Sequence, residues 1–334
     1  MKRSDVMSNK RVGFYVKNSF QVSHLRNLFN STKNAQWVGK RVSSLKSFGI
    51  SEKEPVATST FFLRKMMEKQ FDIIVSHAAP PAGVPLKDTY YVMVQYGYAK
   101  AVYNFGEWRK SADLILSYGT YAERKFAQFG ASIAIGNPRF DDWSDHGFQT
   151  SSKLRISPLL DANLKTVVYA PTWGELSSIE EWLESIIDLS AQYNVLVKLH
   201  HNSIKDNAIR LQQLPPNVHI LPGEDLFSLF CVADVLISDV SGAIFDALMC
   251  ELPVVLVAPS GLSKRYGKKL NETSLEIAHR HELGTVVDEN SDLKDAVCRA
   301  IVDKNSATAE WRKKLFRTDG SVSKNFKKAL NTLG

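Results

Sequence analysis

The sequence contains no run of about 18 apolar residues, the length that a membrane-spanning helix needs. Its basic N-terminus, MKRSDVMSNK, leads into no apolar segment of the kind that secretory signals carry. These two absences predict a cytoplasmic protein that does not span a membrane.

The chain also has few cysteines, and no two of them have the CxxC spacing that is typical of metal sites and redox motifs. Cys231, Cys250 and Cys298 each fall in an apolar helical or strand context. We therefore expect free thiols in a reducing compartment, with neither disulfides nor a bound metal.

The formal net charge of +7 suits three kinds of partner: nucleic acid, an anionic membrane surface or phosphorylated small molecules. No RNP or zinc-finger pattern accompanies the basic residues, so nucleic acid is not expected. Two interpretations of the basic clusters stay open, solvated helix faces or attachment to the inner face of a cell membrane. The clusters are Lys264-Arg265 with Lys268-Lys269, Arg312-Lys313-Lys314 with Arg317, and Lys324 with Lys327-Lys328.

Apolar runs of strand length alternate with helical segments along the chain, a pattern that predicts βαβ units and parallel sheets. Clear strands are residues 71–77 and 91–96 in the first half and 235–238 in the second, whereas residues 58–69 fit a helix. At 334 residues two domains are expected. A polar, serine-rich stretch, residues 144–157, is the predicted linker.

The predicted fold is α/β: two doubly wound, Rossmann-like domains, residues 1–150 and 158–334, the second ending in basic helices. Two such domains predict an interdomain cleft. Ligands in open α/β sheets bind outside the carboxyl ends of the strands, so functional residues are sought just after strands.

The most informative strand end is Asp239-Val240-Ser241-Gly242, which lies between the strand at 235–238 and a predicted helix at 243–250. The first amides of such a helix have no intrahelical partner and attract anions. Gly242 has no Cβ to block a phosphate, and the Ser241 hydroxyl can donate to it. Asp246 lies at i,i+4 from Gly242, where its carboxylate could accept from a ribose diol. An ordinary helix start, capped by Asp239 or Ser241, stays open.

Other strand ends carry further candidates. Thr172 follows the strand at 166–170 and could hold phosphate. Lys198 and His200 end another strand, and its period of two puts both on one face. In the first half, His77 follows the strand at 71–77 and could act as a general base.

Four segments, VVYAPTWGE, VKLHH, DLFSLFCVADVLISDVSGAIFDALMCELPVVL and FRTDGSVSKN, together resemble the CDP-glycerol glycerophosphotransferase family of teichoic-acid primases and polymerases. The likeness covers roughly residues 166–324, with a weaker echo at 113–142 that includes IGNPRFD. The resemblance implies a GT-B fold, with nucleotide in the C-terminal domain, acceptor toward the N-terminal domain and no essential metal.

The resemblance also implies residue roles. His200 falls on the histidine that would stabilise charge on the donor phosphates. The residues 239–242 fall on the motif that would hold the pyrophosphate, and Asp246 resembles an acidic ribose ligand. The closing Asp-Gly-x-x-Ser motif falls on residues 319–323.

One departure concerns the acceptor side. The family usually carries His-Gly in its N-terminal domain, and here Tyr96-Gly97 takes that place. A phenol with a pKa near 10 is a poor base at pH 7. Either another group, such as His77, activates the acceptor, or the reaction differs from that of the family.

These observations predict a cytoplasmic transferase of bacterial surface-polymer synthesis, for teichoic acid, capsule or O-antigen. It would move glycerol phosphate or a related group from a CDP- or CMP-linked donor to a glycan or lipid-linked acceptor. The donor is a substrate, and no cofactor is expected. Three alternatives stay open: a glycosyltransferase with a nucleotide-activated sugar, a nucleotide-sugar epimerase and a non-catalytic nucleotide-binding module.

Overall fold

The computed structural model describes residues 9–200, 203, 214–267, 270–287, 293–303 and 306–333. The chain forms two compact units, each built around one parallel sheet. The first unit comprises Met1–Tyr96, Phe105–Ser144 and Lys313–Gly334, and the second comprises Gly97–Asn104 and Asp145–Arg312.

The sheet of the first unit has seven parallel strands among the described residues, in the order β3-β2-β1-β4-β5-β6-β7. The strands are β1 (Val12–Tyr15), β2 (Ala35–Gly39), β3 (Val56–Thr58), β4 (Ile73–Ser76), β5 (Tyr90–Val94), β6 (Leu114–Ser117) and β7 (Ser132–Ala134). The order reverses between β1 and β4, so ligands are expected at the carboxyl ends of these two strands.

Helices connect these strands. They are Ser19–Asn30, Val42–Ser47, Leu63–Gln70, Thr120–Phe126, Phe140–Trp143 and Val322–Leu330. Every residue of β4 is buried, because helices cover both faces of the sheet. This burial explains why the strand is a continuous apolar run in the sequence.

The sheet of the second unit has six parallel strands in the part of the chain that the structure describes, in the order β10-β9-β8-β11-β12-β13. They are β8 (Lys165–Tyr169), β9 (Tyr193–Val197), β10 (Val218–Ile220), β11 (Val235–Ser238), β12 (Val254–Leu256) and β13 (Thr285–Val286). This is the Rossmann order, and its switch point lies between β8 and β11.

The α-helices of the second unit pack on this sheet, and the buried face of Ile179–Asp188 lies in one core with strand residues such as Val167 and Val235. The helices are Ala101–Asn104, His146–Ile156, Ile179–Asp188, Leu226–Phe230, Ala243–Met249, Leu275–Ala278, Arg280–Leu283 and Leu293–Val302. The helix Ser306–Leu315 is divided between the units at Arg312 and Lys313.

The predicted fold class is confirmed, whereas three details of the prediction differ from the structure. The predicted linker, residues 144–157, is mostly the helix His146–Ile156, in which Ser152 and Ile156 are buried. The predicted helix at 58–69 begins only at Leu63, after the short strand β3. The last segment, Lys313–Gly334, groups with the first unit although the sequence placed it in the second domain.

The C-terminal segment is attached to the first unit by a carboxylate that caps its helix. Asp141 accepts hydrogen bonds from the amides of Val322 (2.8 Å) and Ser323 (2.9 Å) and from the Ser323 hydroxyl (2.6 Å). These amides lie in the first turn of Val322–Leu330, where a negative charge is favourable. The IGNPRFD and DGSVS segments of the sequence therefore meet in one structural contact.

Gly119 lets the same C-terminal segment approach closely. A Cβ atom on Gly119 would lie 2.2 Å from the carbonyl oxygen of Leu315, and the backbone of either segment would have to move. The Gly119→Ala variant should therefore lose about 3 kcal/mol of unfolding free energy, measured by urea denaturation. Gly130→Ala is the control, because its Cβ would meet nothing closer than 3.8 Å. Equal stability of the two variants would contradict this packing.

Candidate active site

The switch point of the second unit brings together two loops that the sequence singled out. The loop after β8 contains Thr172, and the turn after β11 contains Asp239, Ser241 and Gly242. Because β8 and β11 are hydrogen-bonded neighbours, both loops leave the sheet at the same edge. This edge is where an α/β sheet of this order binds its ligand.

The Asp239 carboxylate joins the two loops. It is fully buried, and its Oδ1 accepts from the amides of Thr172 (2.8 Å) and Val240 (2.6 Å). Its Oδ2 accepts from the amide (3.0 Å) and the hydroxyl (3.1 Å) of Ser178. Burial raises the pKa of Asp239 above its ordinary value, although these hydrogen bonds oppose the shift.

Four hydrogen bonds occupy the roughly four acceptor positions of a carboxylate. A ligand would have to displace one of them to reach Asp239 directly. The sequence predicted Asp239 as a ligand-binding residue, and the geometry favours a different task, which is to hold Thr172 and Ser178 next to the turn that follows β11.

The turn Ser241-Gly242 has room for a ligand. Gly242 is exposed, and a Cβ atom there would meet no atom of the described residues within 4 Å. Its φ of −57° is accessible to any residue, so backbone strain does not require glycine at this position. The Ser241 hydroxyl accepts from the amide of Ala243 at 3.3 Å, and Asp246 is half-buried on the helix Ala243–Met249.

Lys198 and His200 follow β9, the strand next to β8. The strand ends at Val197, so both residues lie in the loop, and the predicted shared strand face does not apply to them. Lys198 donates to the carbonyl of Pro222 at 2.5 Å, and burial lowers the pKa of its ammonium. The His200 ring stacks on Trp173, with centroids 5.1 Å apart and planes at 18°. This stacking places His200 against the loop that carries Thr172.

In the first unit, His77 follows β4 at the switch point and is 3% exposed. Its Nδ1 lies 3.1 Å from the carbonyl oxygen of Val94, so we assign the ring proton to Nδ1. Nε2 is buried and has no hydrogen-bond partner among the described residues. Burial, with the charge of Arg109 adding to it, lowers the pKa of His77 to about 4. The imidazole is therefore neutral at pH 7.

Tyr96 lies beside His77, with ring centroids 5.6 Å apart and planes at 83°. The Tyr96 side chain is partly exposed, whereas His77 is buried. The structure thus brings together the two predicted acceptor-side residues of the first unit.

A third aromatic group of this cluster, His24, was not predicted. It lies on the helix that follows β1, the partner strand of β4 at the switch point, and its ring is 5.9 Å from that of His77. His24 is buried, and burial lowers its pKa well below the ordinary value, as do His77 and Arg139. The strand-end search missed it because it lies inside a helix, where a lone histidine resembles a core residue.

Two absences hold within the described residues. Among them, no group of three or more His, Cys, Asp or Glu side chains has the geometry of a metal site. No helix among them has both the length and the apolar character for crossing a membrane. Cys231, Cys250 and Cys298 form no disulfide among the described residues.

Comparison with known proteins relates this architecture to surface-polymer enzymes. The sequence matches the family described as CDP-Glycerol:Poly(glycerophosphate) glycerophosphotransferase over residues 56–325. No curated protein matches the chain.

Solved structures share the fold at low sequence identity. A variant of the wall teichoic acid polymerase TagF, soaked with CDPG, has a TM-score of 0.72 at 16% identity, covering 98% of this chain and 91% of that one. The S. aureus MnaA–UDP structure has a TM-score of 0.60 at 12% identity, covering 96% of this chain and 97% of its own. The Neisseria meningitidis UDP-GlcNAc 2-epimerase, bound to UDP-GlcNAc, has a TM-score of 0.60 at 12% identity, covering 97% and 99%.

These likenesses to solved structures confirm the GT-B fold of two Rossmann-like units. The family match covers most of the chain and includes every predicted site residue from His77 to Asp246. The chain therefore belongs to the CDP-glycerol glycerophosphotransferase family, a family of surface-polymer glycerophosphate transferases.

Proposed function

We propose that this protein moves glycerol phosphate, or a close relative, from a CDP-linked donor to a hydroxyl of a glycan or lipid-linked acceptor. The product would be a bacterial surface polymer, teichoic acid, capsule or O-antigen. One observation carries most weight: Asp239 holds the Thr172 loop next to the Ser241-Gly242 turn at the switch point of the sheet. Family membership supports the donor's diphosphate as the anion that this edge would bind.

The donor phosphates would lie against three kinds of group. The Ser241-Gly242 turn offers backbone amides at the start of a helix, in open space. Thr172 offers a hydroxyl, and His200 offers an imidazole fixed by its stacking on Trp173. Asp246, half-buried one turn along the helix, would accept from the ribose, and Lys198 would add positive charge at the same edge.

In the reaction, the acceptor hydroxyl oxygen forms a bond to the β-phosphorus of the donor. The bond between that phosphorus and the bridging oxygen breaks, and CMP leaves with the electron pair. The hydroxyl proton needs a base. We assign this task to His77 on geometry: its Nδ1 proton is fixed on the Val94 carbonyl, which leaves the Nε2 lone pair as the acceptor, although its pKa of about 4 makes the imidazole a weak base. Tyr96 would then contact the acceptor rather than take the proton.

A lipid-linked acceptor would bring the protein to the cytoplasmic face of the membrane. The arginines of the basic clusters have structural partners: Arg265 donates to the Glu175 carbonyl, Arg312 to the Met249 carbonyl and Arg317 to the Ala134 carbonyl. Attachment to an anionic leaflet would therefore depend on the lysines of these clusters. Lys268 and Lys269 lie outside the described residues.

Product analysis tests the proposed function. The purified protein is incubated in turn with CDP-glycerol, a CDP-sugar, a UDP-sugar and a CMP-sugar as donors, each with a glycan and a lipid-linked acceptor, and products are identified by mass spectrometry. We expect CMP release and an acceptor that is heavier by one glycerol phosphate. A sugar on the acceptor, an epimerised free nucleotide sugar, or tight nucleotide binding without turnover would each contradict the proposal.

A further inference from the structure

The segment Gly97–Asn104 belongs to the second unit although it directly follows the acceptor-side residue Tyr96 in the chain. Tyr98 is 1% exposed, and its ring lies 5.6 Å from that of Phe245 on the helix that begins after Gly242. Two residues later, the Lys100 ammonium donates to the Thr172 hydroxyl at 3.1 Å. This segment therefore contacts both loops that the proposed donor site uses.

The backbone at Lys100 is held in an unfavourable conformation. Its φ is +60°, in the left-handed region that residues with a Cβ seldom adopt. The Lys100 amide donates to the Glu276 carboxylate at 2.6 Å, and the Asn104 side chain donates to the Ala99 carbonyl at 2.5 Å. Such strained residues cluster at functional sites, where surrounding contacts keep them in place.

The Glu276 carboxyl group that accepts from the Lys100 amide is buried. It is 0% exposed, and its Oε2 has no hydrogen-bond partner in the described part of the chain. Burial raises its pKa to about 7, against the opposing effects of Lys100 and Arg280. Burying a carboxyl group with one oxygen unpaired is unfavourable, and the hydrogen bond from the Lys100 amide offsets part of that cost.

Two cations lie at the carboxyl ends of the strands of this sheet, and they make different contacts. Arg280 donates to the carbonyls of Asp239 (2.8 Å) and Val257 (2.6 Å), which ties together the ends of β11 and β12. Lys100 instead donates to the side-chain hydroxyl of Thr172 in the loop after β8. A phosphate that enters beside Thr172 would meet a hydroxyl and an ammonium at one place.

We propose that Lys100 binds a phosphate of the nucleoside diphosphate donor together with Thr172, and that Glu276 is the positioning residue that holds Lys100 there. This inference rests on the proposed function, because it concerns the same donor. It adds to that site a cation from Gly97–Asn104, a segment that lies in the chain between two stretches of the first unit.

Calorimetry with cytidine, CMP and CDP tests the role of Lys100. Lys100→Gly keeps the left-handed backbone accessible and removes only the side chain, and Lys100→Arg restores the charge. We expect Lys100→Gly to weaken CDP binding about tenfold or more, with cytidine binding unchanged and partial rescue by Lys100→Arg. The same variant should raise KM for the donor.

Lys165→Ala is the matched control. Lys165 begins β8 at the opposite edge of the sheet and pairs with Asp234 at 2.8 Å, so its loss removes one charge far from the carboxyl ends. CDP affinity in Lys165→Ala should equal that of the wild type. Equal CDP affinity in Lys100→Gly and Lys165→Ala would overturn the assignment of Lys100 alone. A wild type that binds neither CMP nor CDP would overturn the proposed function, and this inference with it.

A double-mutant cycle separates positioning from general stability. Glu276→Ala should weaken CDP binding in the wild type and cause no further loss in the Lys100→Gly background, since its effect runs through Lys100. Glu276→Gln retains an oxygen for the Lys100 amide and should lie closer to the wild type. Additive losses of CDP affinity in the double variant would contradict the positioning role of Glu276. If Glu276→Ala does not fold, the comparison of Lys100→Gly with Lys165→Ala still decides whether Lys100 binds the phosphate.

Discussion

Asp239→Ala should lose about 3–5 kcal/mol of unfolding free energy, more than any other single change at the carboxyl edge of the second sheet. The carboxylate accepts four hydrogen bonds in a fully buried position, and the variant would leave the backbone amides of Thr172, Ser178 and Val240 without this acceptor. Urea denaturation, monitored by tryptophan fluorescence, measures the loss.

The control for this variant lies at the other end of the same strand. Asp234 precedes β11 and accepts from Lys165 and from the amide of Thr166, both at 2.8 Å, in a partly exposed position. Asp234→Ala should cost only about 1 kcal/mol, because water replaces the lost partners. Similar losses in the two variants would show that Asp239 does not organise the loops. Asp239→Ala should also weaken CDP binding, since Thr172 would lose its position.

His200→Ala should lower kcat by about 10²- to 10³-fold, the usual cost of removing one group that stabilises charge on a leaving oxygen. The imidazole is fixed against Trp173 at the donor edge, and the departing CMP gains negative charge as the bond to the β-phosphorus breaks. The measurement is single-turnover release of CMP at saturating donor, with donor affinity determined separately by calorimetry. The affinity should also fall, by less than kcat.

His146→Ala is the control for the histidine variant. His146 is exposed at the start of its helix in the same unit, so its loss should leave kcat unchanged. Far-UV circular dichroism and urea denaturation report whether His200→Ala has kept the fold of the wild type. A kcat of His200→Ala within twofold of the wild type, in a folded protein, would exclude His200 from the chemical step.

The two sheets could be predicted from the sequence because their central strands are buried on both faces. Residues 73–76 and 235–238 are uninterrupted apolar runs that end in serine, and such runs are typical of parallel sheets. The same logic located Thr172, His77 and Asp239, since each follows a strand that lies at a switch point.

Contacts between residues distant in sequence could not be predicted in this way. Asp141 caps a helix about 180 residues further along the chain, and no local pattern indicates which carboxylate will do so. Gly119 has an ordinary extended backbone, so only the approach of Leu315 explains it. The amphipathic pattern of Val322–Leu330 predicts a buried face but not the unit that buries it.

The candidate site was incomplete for a related physical reason. Strand ends indicate side chains that the sheet positions, whereas Glu276 and His24 lie on helices and are positioned by packing. Lys100 is visible in the sequence only as a lysine after Tyr96-Gly97, and its role depends on a backbone conformation that the amino-acid type does not favour. Asp239 differs from these residues. The strand-end pattern did locate it, but as a ligand-binding residue, whereas its carboxylate holds two loops in place.

A crystal structure of the protein soaked with CDP would show where the donor's diphosphate binds. We expect density for the diphosphate about 3 Å from the amides of the Ser241-Gly242 turn, with the Thr172 hydroxyl in contact and the ribose near Asp246. Density for CDP at another part of the second unit, or a Ser241-Gly242 turn closed by side chains at saturating CDP, would contradict it.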